Sequence, residues 1–212
     1  MASLPVVPPR PSPAPPRPPR PAAAGRKKAP LAREILGEEQ IASFFGAIDS
    51  IRDQAIFRLM YHAGLRASEI GLLQLEDYSP KTGSLMVHRV HGSRSGLHPL
   101  NDEESHALKK WRKLRGPEPG PLFPSSRSEP ISRQRLDALA KRYGAAAGWP
   151  ATLRHCHSLK HACCNHLLRR GFNAEQVQDW VGHSNIQSTI IYSPISPASS
   201  RDQMGKALTD WK

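Results

Sequence analysis

The residues that could do chemistry lie mainly between His157 and Tyr192, in the segment HSLKHACCNHLLRRGFNAEQVQDWVGHSNIQSTIIY. His157 and Lys160 stand three positions apart at its start, and Tyr192 follows a second histidine, His183, by nine residues. Upstream, the motif GLRASEI places Arg66 at the start of a predicted helix. The set therefore combines groups that can hold a phosphate with a phenol that can attack it.

A phosphodiester resists nucleophiles because it carries negative charge. Catalysis must neutralise its two non-bridging oxygens, supply an attacking oxygen and protonate the leaving oxygen. The planar fork of arginine bonds two oxygens at once, and histidine donates to phosphate or moves a proton near neutral pH. Tyrosine attacks once its proton is removed, since its ordinary pKa is about 10. Cations can supply the charge without a metal.

Each of these residues also has an ordinary structural interpretation. Arg66 could form a surface ion pair with Glu69, Tyr192 could pack in the core, and both histidines could be structural. A zinc site is a further alternative, because His157, His161 and Cys164 share one helical face at adequate spacing for the metal. No paired Cys-x-x-Cys motif supports zinc, so the order and spacing of the whole set favour phosphate chemistry.

The composition points to a polyanionic partner. The chain has 212 residues and a formal net charge of +12, which favours nucleic acid. A ribosomal protein or a merely solvated basic surface is the plainer alternative. The sequence has no run of about 18 apolar residues and no apolar core of a secretory signal. The three cysteines (Cys156, Cys163 and Cys164) cluster in one segment, which excludes a disulfide framework and fits a reducing cytoplasm, near the nucleoid.

The first 30 residues form a segment of low complexity. They hold eleven of the chain's 21 prolines and no acidic residue, so they cannot form a core and should be extended or disordered. Their cations could follow a phosphate backbone or simply be solvated. We assign 1–30 to this tail, 31–197 to the catalytic domain and 198–212 to a hinge with an amphipathic helix.

From residue 31 onward the pattern is mainly helical with one small hairpin. A helical period appears around Ile41, Ser50 can cap a second helix that stops at Gly64, and a short third helix holds residues 66–73. Strands are predicted at 84–90 and 97–100. Further helices are predicted from Asn101, over 132–147, and at about 158–170, 174–181 and 186–192.

These motifs together resemble the catalytic domain of the tyrosine recombinases of the phage integrase family, over roughly residues 38–195. GLRASEI is similar to the first arginine motif of that family, HSLKHACCNHLLRRG to its His-x-x-Arg motif, and VQDWVGHSNIQSTIIY to its Leu-Gly-His…Tyr box. The short chain and the HPLND motif look most like the compact recombinases that invert fimbrial promoter switches and lack an N-terminal clamp domain.

The resemblance implies a role for each residue of the set. Tyr192 would attack the scissile phosphate and form a 3′-phosphotyrosyl link, which releases a 5′-hydroxyl. Arg66 and Lys160 would hold the non-bridging oxygens, His157 would assist proton transfer, and His183 would donate a hydrogen bond to the phosphate. Because the phosphotyrosine stores the bond energy, the family needs neither ATP nor a metal, and no cofactor is expected.

The sequence departs from the family pattern at two positions. Lys160 stands where the family has its second arginine, so the charge is kept and the bidentate fork is lost. The hairpin lysine that serves the family as general acid aligns with His91, and Arg94 lies three residues further on. A catalytically weak DNA-binding relative is therefore the alternative function.

DNA and further copies of this chain are the expected partners. The predicted helix over 132–147 carries four cations that could contact DNA, as Arg94 could: Arg133, Arg135, Lys141 and Arg142. The apolar stripe of residues 201–212 could dock on its own domain. It could also dock on a neighbouring subunit, as the resembling family does when four protomers join two DNA sites.

Overall fold

The structure, a computed structural model, describes residues 34–90, 92, 95–185 and 189. In these residues seven α-helices and three β-strands form, in the order α1 Glu38–Gly46, α2 Ile51–His62, α3 Ala67–Leu72, β1 Tyr78–Ser79, β2 Ser84–Val87, β3 Gly96–Pro99, α4 Asp102–Arg115, α5 Arg133–Ala146, α6 Cys156–Arg169 and α7 Ala174–Val181. The predicted class, mainly helical with a small sheet, is confirmed.

Short polar side chains fix where several helices begin. The Ser50 side chain accepts the backbone N–H of Asp53 at the start of α2. Asn101 Oδ1 accepts the N–H of Glu104 at 2.8 Å, and the Glu104 carboxylate accepts the N–H of Asn101 in return. Such reciprocal caps satisfy N–H groups that have no partner inside the helix. The predicted helix starts at Ser50 and Asn101 are thereby confirmed.

The core is built around α2, which packs against α4 on one side and α6 on the other. Beside it lies an aromatic cluster in which the rings of Phe44 and Trp149 stack at 4.3 Å. Phe57 and Tyr143 meet this cluster edge-on, and all four side chains are almost fully buried. This packing makes α2 a rigid support for the residues that follow its C-terminal end.

The sheet is antiparallel with the strand order β1-β2-β3. The predicted hairpin is confirmed as β2 and β3, in which Leu85 pairs with His98. The strand β1 was not predicted, because its two residues are too short to show alternation. The prediction that β2 runs to residue 90 is wrong: the strand ends at Val87.

The helical predictions agree closely with the structure. The helix predicted at about 158–170 forms as α6 but starts two residues earlier, and the helix predicted at 174–181 forms as α7. The predictions for 1–30, 186–192 and 201–212 concern residues that lie outside, or almost entirely outside, the described part of the chain. None of the described helices is both long enough and apolar enough to cross a membrane.

Candidate active site

Arg66 lies at the start of α3, immediately after the corner at which α2 ends. Its backbone N–H donates to Glu69 Oε2 at 2.8 Å, and its Nη1 donates to Glu69 Oε1 at 2.8 Å. The ion pair anticipated as the ordinary interpretation of Arg66 is thus present. The Arg66 side chain nevertheless keeps 19% of its surface exposed, so the paired guanidinium can still meet a ligand.

Glu69 is completely buried beneath Arg66. Burial alone would raise the pKa of its carboxyl, but the Arg66 backbone N–H, Arg89 and Lys160 together hold that pKa below its usual value. The carboxylate is therefore charged at neutral pH and orients the guanidinium of Arg66.

Lys160 lies in the first turns of α6 with only 4% of its surface exposed. Its Nζ donates to the carbonyl oxygens of Gly64 at 2.7 Å and Val181 at 2.6 Å. Burial and, after it, the charge of Arg66 lower the pKa of Lys160 to about 7. An ammonium group has three donors, so one remains after both carbonyls are bound.

His183 follows Gly182, whose left-handed backbone (φ 62°) ends α7. Its Nδ1 lies 2.9 Å from Thr189 Oγ1. Burial, followed by the charges of Lys160 and Arg66, lowers the pKa of His183 to about 4. The imidazole is therefore neutral at pH 7, and if Nδ1 accepts from Thr189 its Nε2–H is available as a donor.

His157 occupies the first turn of α6 and lines a cleft with Arg66, Ser68, Arg133 and His155. Partial burial lowers its pKa, as do His155 and Lys160. The charges of Lys160 and Arg66 thus act on His157 as they do on His183. Four of the six predicted catalytic residues consequently approach one region from α3, α6 and the end of α7.

The comparison with known families decides the relationship. The model of the phage integrase family matches residues 34–198. The chain belongs to the phage integrase family. This membership confirms the resemblance inferred from the arginine, histidine and tyrosine motifs.

Curated relatives bear names from the same group. Tyrosine recombinase XerD of Xanthomonas axonopodis pv. citri (strain 306) is 36% identical over 181 residues, which cover 76% of this chain and 58% of XerD. The type 1 fimbriae regulatory protein FimE of Escherichia coli (strain K12) is 32% identical over 152 residues, covering 69% of this chain and 76% of FimE. The chain thus spans well under two thirds of the length of XerD and most of that of FimE.

Solved structures show the same fold. The crystal structure of XerA recombinase has a TM-score of 0.68 at 21% identity, over 82% of this chain and 65% of that one. XerH recombinase bound to its difH substrate has a TM-score of 0.72 at 19% identity, over 84% of this chain and 54% of that one. The predicted recombinase catalytic-domain fold is thereby confirmed.

The four candidate DNA contacts on α5 differ in their surroundings. Arg133 borders the cleft beside His157, with its side chain 70% exposed and its Nε 3.7 Å from Asp137. Arg135 and Lys141 are also exposed. Arg142 instead places Nη2 3.1 Å from Asp49, which already neutralises part of its charge. Their role in DNA binding stays a prediction.

His91, Arg94 and Tyr192 all lie outside the described residues. Their assignments as general acid, DNA contact and nucleophile therefore stay predictions from the sequence.

The zinc arrangement suggested by helical spacing does not form in the described part of the chain, where no three histidine, cysteine or acidic side chains converge as a metal would require. Cys164 is buried, while the rings of His157 and His161 meet edge-on at 5.9 Å between centroids. The three cysteines are free and buried, and burial raises the pKa of each thiol.

Sequence reasoning missed Arg89. The residue was assigned to a strand, but it leaves the sheet and its side chain is only 5% exposed. Its guanidinium contacts Glu69 and three backbone carbonyls beneath the site. The absence of a strand alternation around VHRV was the only local signal, because every partner of the Arg89 guanidinium is distant in sequence.

Proposed function

We propose that this chain is a tyrosine-type site-specific recombinase, which cleaves and rejoins double-stranded DNA through a 3′-phosphotyrosine at Tyr192. The observation that carries the proposal is the approach of Arg66, His157, Lys160 and His183 to one region of a phage integrase fold. The names of the recombinase relatives support it.

The reaction is a transesterification at phosphorus. The Tyr192 oxygen gives up its proton, for which His157 is the candidate acceptor, and bonds to the scissile phosphorus. The bond from phosphorus to the 5′-oxygen breaks. The leaving oxygen takes up a proton, for which His91 is the candidate donor, and departs as a 5′-hydroxyl. Attack by a 5′-hydroxyl on the phosphotyrosine reverses these steps on a new partner strand.

The described residues supply the charge that this transition state needs. Arg66 is held by Glu69 and presents an oriented guanidinium. The third donor of Lys160 adds a second positive contact, and phosphate binding would favour its charged form. Neutral His183 contributes an Nε2–H donor. Preorganised donors of this kind are worth about 10²–10³ in rate each.

DNA binding would use the basic surface beside this cleft. The net charge of +12 favours association with a polyanion, and the exposed cations of α5 extend from the cleft where Arg133 lies. A tetramer on DNA, joined through residues 201–212, completes the proposal. Deletion of 201–212 should then abolish synaptic complexes while single-site binding survives.

A nicked suicide substrate tests the chemistry directly. The nick lets the fragment beyond the cleavage site diffuse away, so the covalent complex accumulates. Wild-type protein should form a protease-sensitive DNA adduct that Tyr192→Phe does not form, although the variant should bind the same DNA equally well. Equal adducts from both proteins would exclude Tyr192 as the nucleophile.

One observation favours the alternative of a catalytically weak DNA-binding relative. Lys160 commits two donors to the carbonyls of Gly64 and Val181 and is almost fully buried. A lysine held in this way cannot give phosphate the bidentate contact that arginine gives. Specific DNA binding without any adduct, on nicked as well as intact sites, would establish this alternative.

A further inference from the structure

Two helix ends meet beneath the candidate site, and each carries one of its residues. Helix α2 ends at His62, and the chain turns at Gly64, two residues before Arg66. Helix α7 ends at Val181, and the chain turns at Gly182, one residue before His183. Both glycines have left-handed backbone, with φ of 59° and 62°. The two corners are in close contact, since a Cβ added at Gly64 would lie 2.7 Å from Val181 Cγ1.

The guanidinium of Arg89 bridges these two corners. Its Nη2 donates to the carbonyl oxygens of Ala63 at 3.0 Å and Trp180 at 2.9 Å, and its Nη1 lies 3.3 Å from the Gly64 carbonyl. The last carbonyls of a helix lack partners within the helix and favour a nearby cation. A single buried group therefore satisfies the ends of α2 and α7 together.

The same guanidinium is linked to Arg66 through a carboxylate. Arg89 Nη1 lies 3.1 Å from Glu69 Oε2, and the other oxygen of Glu69 accepts Nη1 of Arg66. On the opposite side Arg89 packs directly on Gly182, where an added Cβ would lie 2.8 Å from its Nε. Arg89 thus touches the supports of both Arg66 and His183.

We propose that Arg89 is a positioning residue that sets the separation and orientation of Arg66 and His183 for DNA cleavage. It touches neither DNA nor the reacting atoms in this proposal, which rests on the proposed recombinase function. Its planar fork reaches carbonyls on two separate helices at once, and a lysine ammonium lacks that fixed geometry. Charge alone should therefore not replace it.

Lys160 explains why the fold should survive without Arg89. Its Nζ also joins the two corners, by donating to Gly64 and Val181. Loss of Arg89 would leave these bonds, the bond from Trp180 Nε1 to the His62 carbonyl oxygen and the packing of Gly64 on Val181. These contacts hold the helix ends together but constrain their relative orientation less. The expected result is a folded protein with a loosened site.

The first experiment compares Arg89→Lys with a matched variant, Arg115→Lys. Arg115 also holds a loop through backbone carbonyls, because its Nε and Nη2 lie 3.0 and 2.9 Å from the Pro121 oxygen, yet it contacts none of the proposed site residues. Single-turnover cleavage of the nicked substrate, DNA affinity and thermal melting are measured for both variants.

Arg89→Lys should lower the cleavage rate by about 10- to 100-fold, because misplacement of a reacting group by about 1 Å costs up to about 10²-fold. Its DNA affinity should stay within about threefold of wild type, since the basic surface is unchanged. Arg115→Lys should cleave at the wild-type rate. Unchanged cleavage by Arg89→Lys, or an equal loss in both variants, would overturn the proposal.

The second experiment approaches the same contact from Gly182. Gly182→Ala would push a methyl group against Arg89, and Gly148→Ala serves as its control because Gly148 has a similar φ of 73° with no atom within 4 Å of its added Cβ. Either variant can lower the melting temperature, but only Gly182→Ala should also lower the rate of cleavage by the folded protein. The double variant, Gly182→Ala with Arg89→Lys, should lose less cleavage rate than the product of the two single fold-losses, because the effects of substitutions in contact are not additive. If the two fold-losses multiply, the contact between Gly182 and Arg89 does not position the site.

A spectroscopic measurement separates failure of this inference from failure of the proposed function. If wild-type protein forms no adduct, the function fails, and the His183 imidazole shifts and the contact between Gly64 and Val181 are compared by NMR. Arg89→Lys should change both, whereas Arg115→Lys should change neither. Identical spectra of the site in wild type and Arg89→Lys would show that Arg89 does not position these residues.

Discussion

Two groups of cations lie within reach of the same cleft and are used differently. Lys160 and Arg89 are buried beneath it, with 4% of the residue and 5% of the side chain exposed, and nearly all their donors are bound to protein oxygens. Arg133, Arg135 and Lys141 on α5 are exposed instead. Buried cations fix geometry because leaving them unpaired is costly. Exposed cations can exchange counterions for phosphates with little structural change.

The largest expected effect is a loss of stability when the negative charge of Glu69 is removed. Glu69→Gln keeps the shape but leaves Arg66 and Arg89 without their carboxylate, and breaking a buried pair in this way costs about 3–5 kcal/mol. Because the folded-state pKa of Glu69 is lowered, its contribution is present at neutral pH and is lost as the pH falls through that value. Denaturant unfolding at pH 7 measures the loss.

Glu103→Gln is the matched control for Glu69→Gln. Glu103 pairs with Arg58, but its side chain is 60% exposed, so its loss should cost no more than about 1 kcal/mol. If both variants lose equal stability, the buried Glu69 carboxylate does not stabilise the site through Arg66 and Arg89.

The next largest effect is on the cleavage rate and concerns Lys160, which stands where the family has its second arginine. Lys160→Ala should lower single-turnover cleavage by about 10²–10³-fold, the usual loss for one preorganised donor. Lys160→Arg should keep or raise the rate, since the arginine fork suits a phosphate with two non-bridging oxygens. The nicked substrate reports both rates. An equal loss in both variants would mean that residue 160 does not act at the phosphate.

Local signals explain why the helices and several site residues were predictable. Ser50 and Gly64 mark the two ends of α2 by their own backbone preferences, so the position of Arg66 followed. The ion pair from Arg66 to Glu69 also spans only three residues, within reach of sequence reasoning.

Long-range contacts explain what could not be predicted. The carbonyl partners of Arg89 lie 25, 26 and 91 residues away, and no residue near Arg89 in the sequence indicates them. The burial of Lys160 depends likewise on α2 and α7 ending at the same place. The His-x-x-Lys motif locates Lys160 in the sequence, but it does not reveal the two backbone carbonyls that bind its ammonium group.

A smaller effect should appear as a pH dependence of stability. The pKa of Lys160 is lowered to about 7 in the folded protein from about 10.4 in an unfolded chain. Above pH 7 the unfolded chain therefore binds more protons at this residue, and stability should rise with pH by at most about 1.4 kcal/mol per unit. The clearest window is about pH 7 to 7.5, well below the pKa of about 8.5 at which cysteines of the unfolded chain are half ionised.

Lys160→Met isolates that titration. It removes the titrating group while keeping an unbranched side chain of similar length. The pH slope of its unfolding free energy should therefore be lower than that of wild type by up to about 1.4 kcal/mol per unit, because the other titrating groups are common to both proteins. The slope is diagnostic even if the variant differs in absolute stability. Equal slopes in wild type and Lys160→Met would show that Lys160 stays fully charged in the folded protein.

The smallest effects belong to the exposed cations of α5. Alanine at Arg133, Arg135 or Lys141 should each reduce the dependence of log binding constant on log salt by about 0.9, the value for one phosphate contact on duplex DNA. Melting temperatures should barely change, since surface substitutions rarely exceed about 0.5 kcal/mol. Arg142→Ala should change the slope less, because its guanidinium already faces Asp49 at 3.1 Å. A slope that is the same in all four variants and in wild type would remove α5 from the DNA interface.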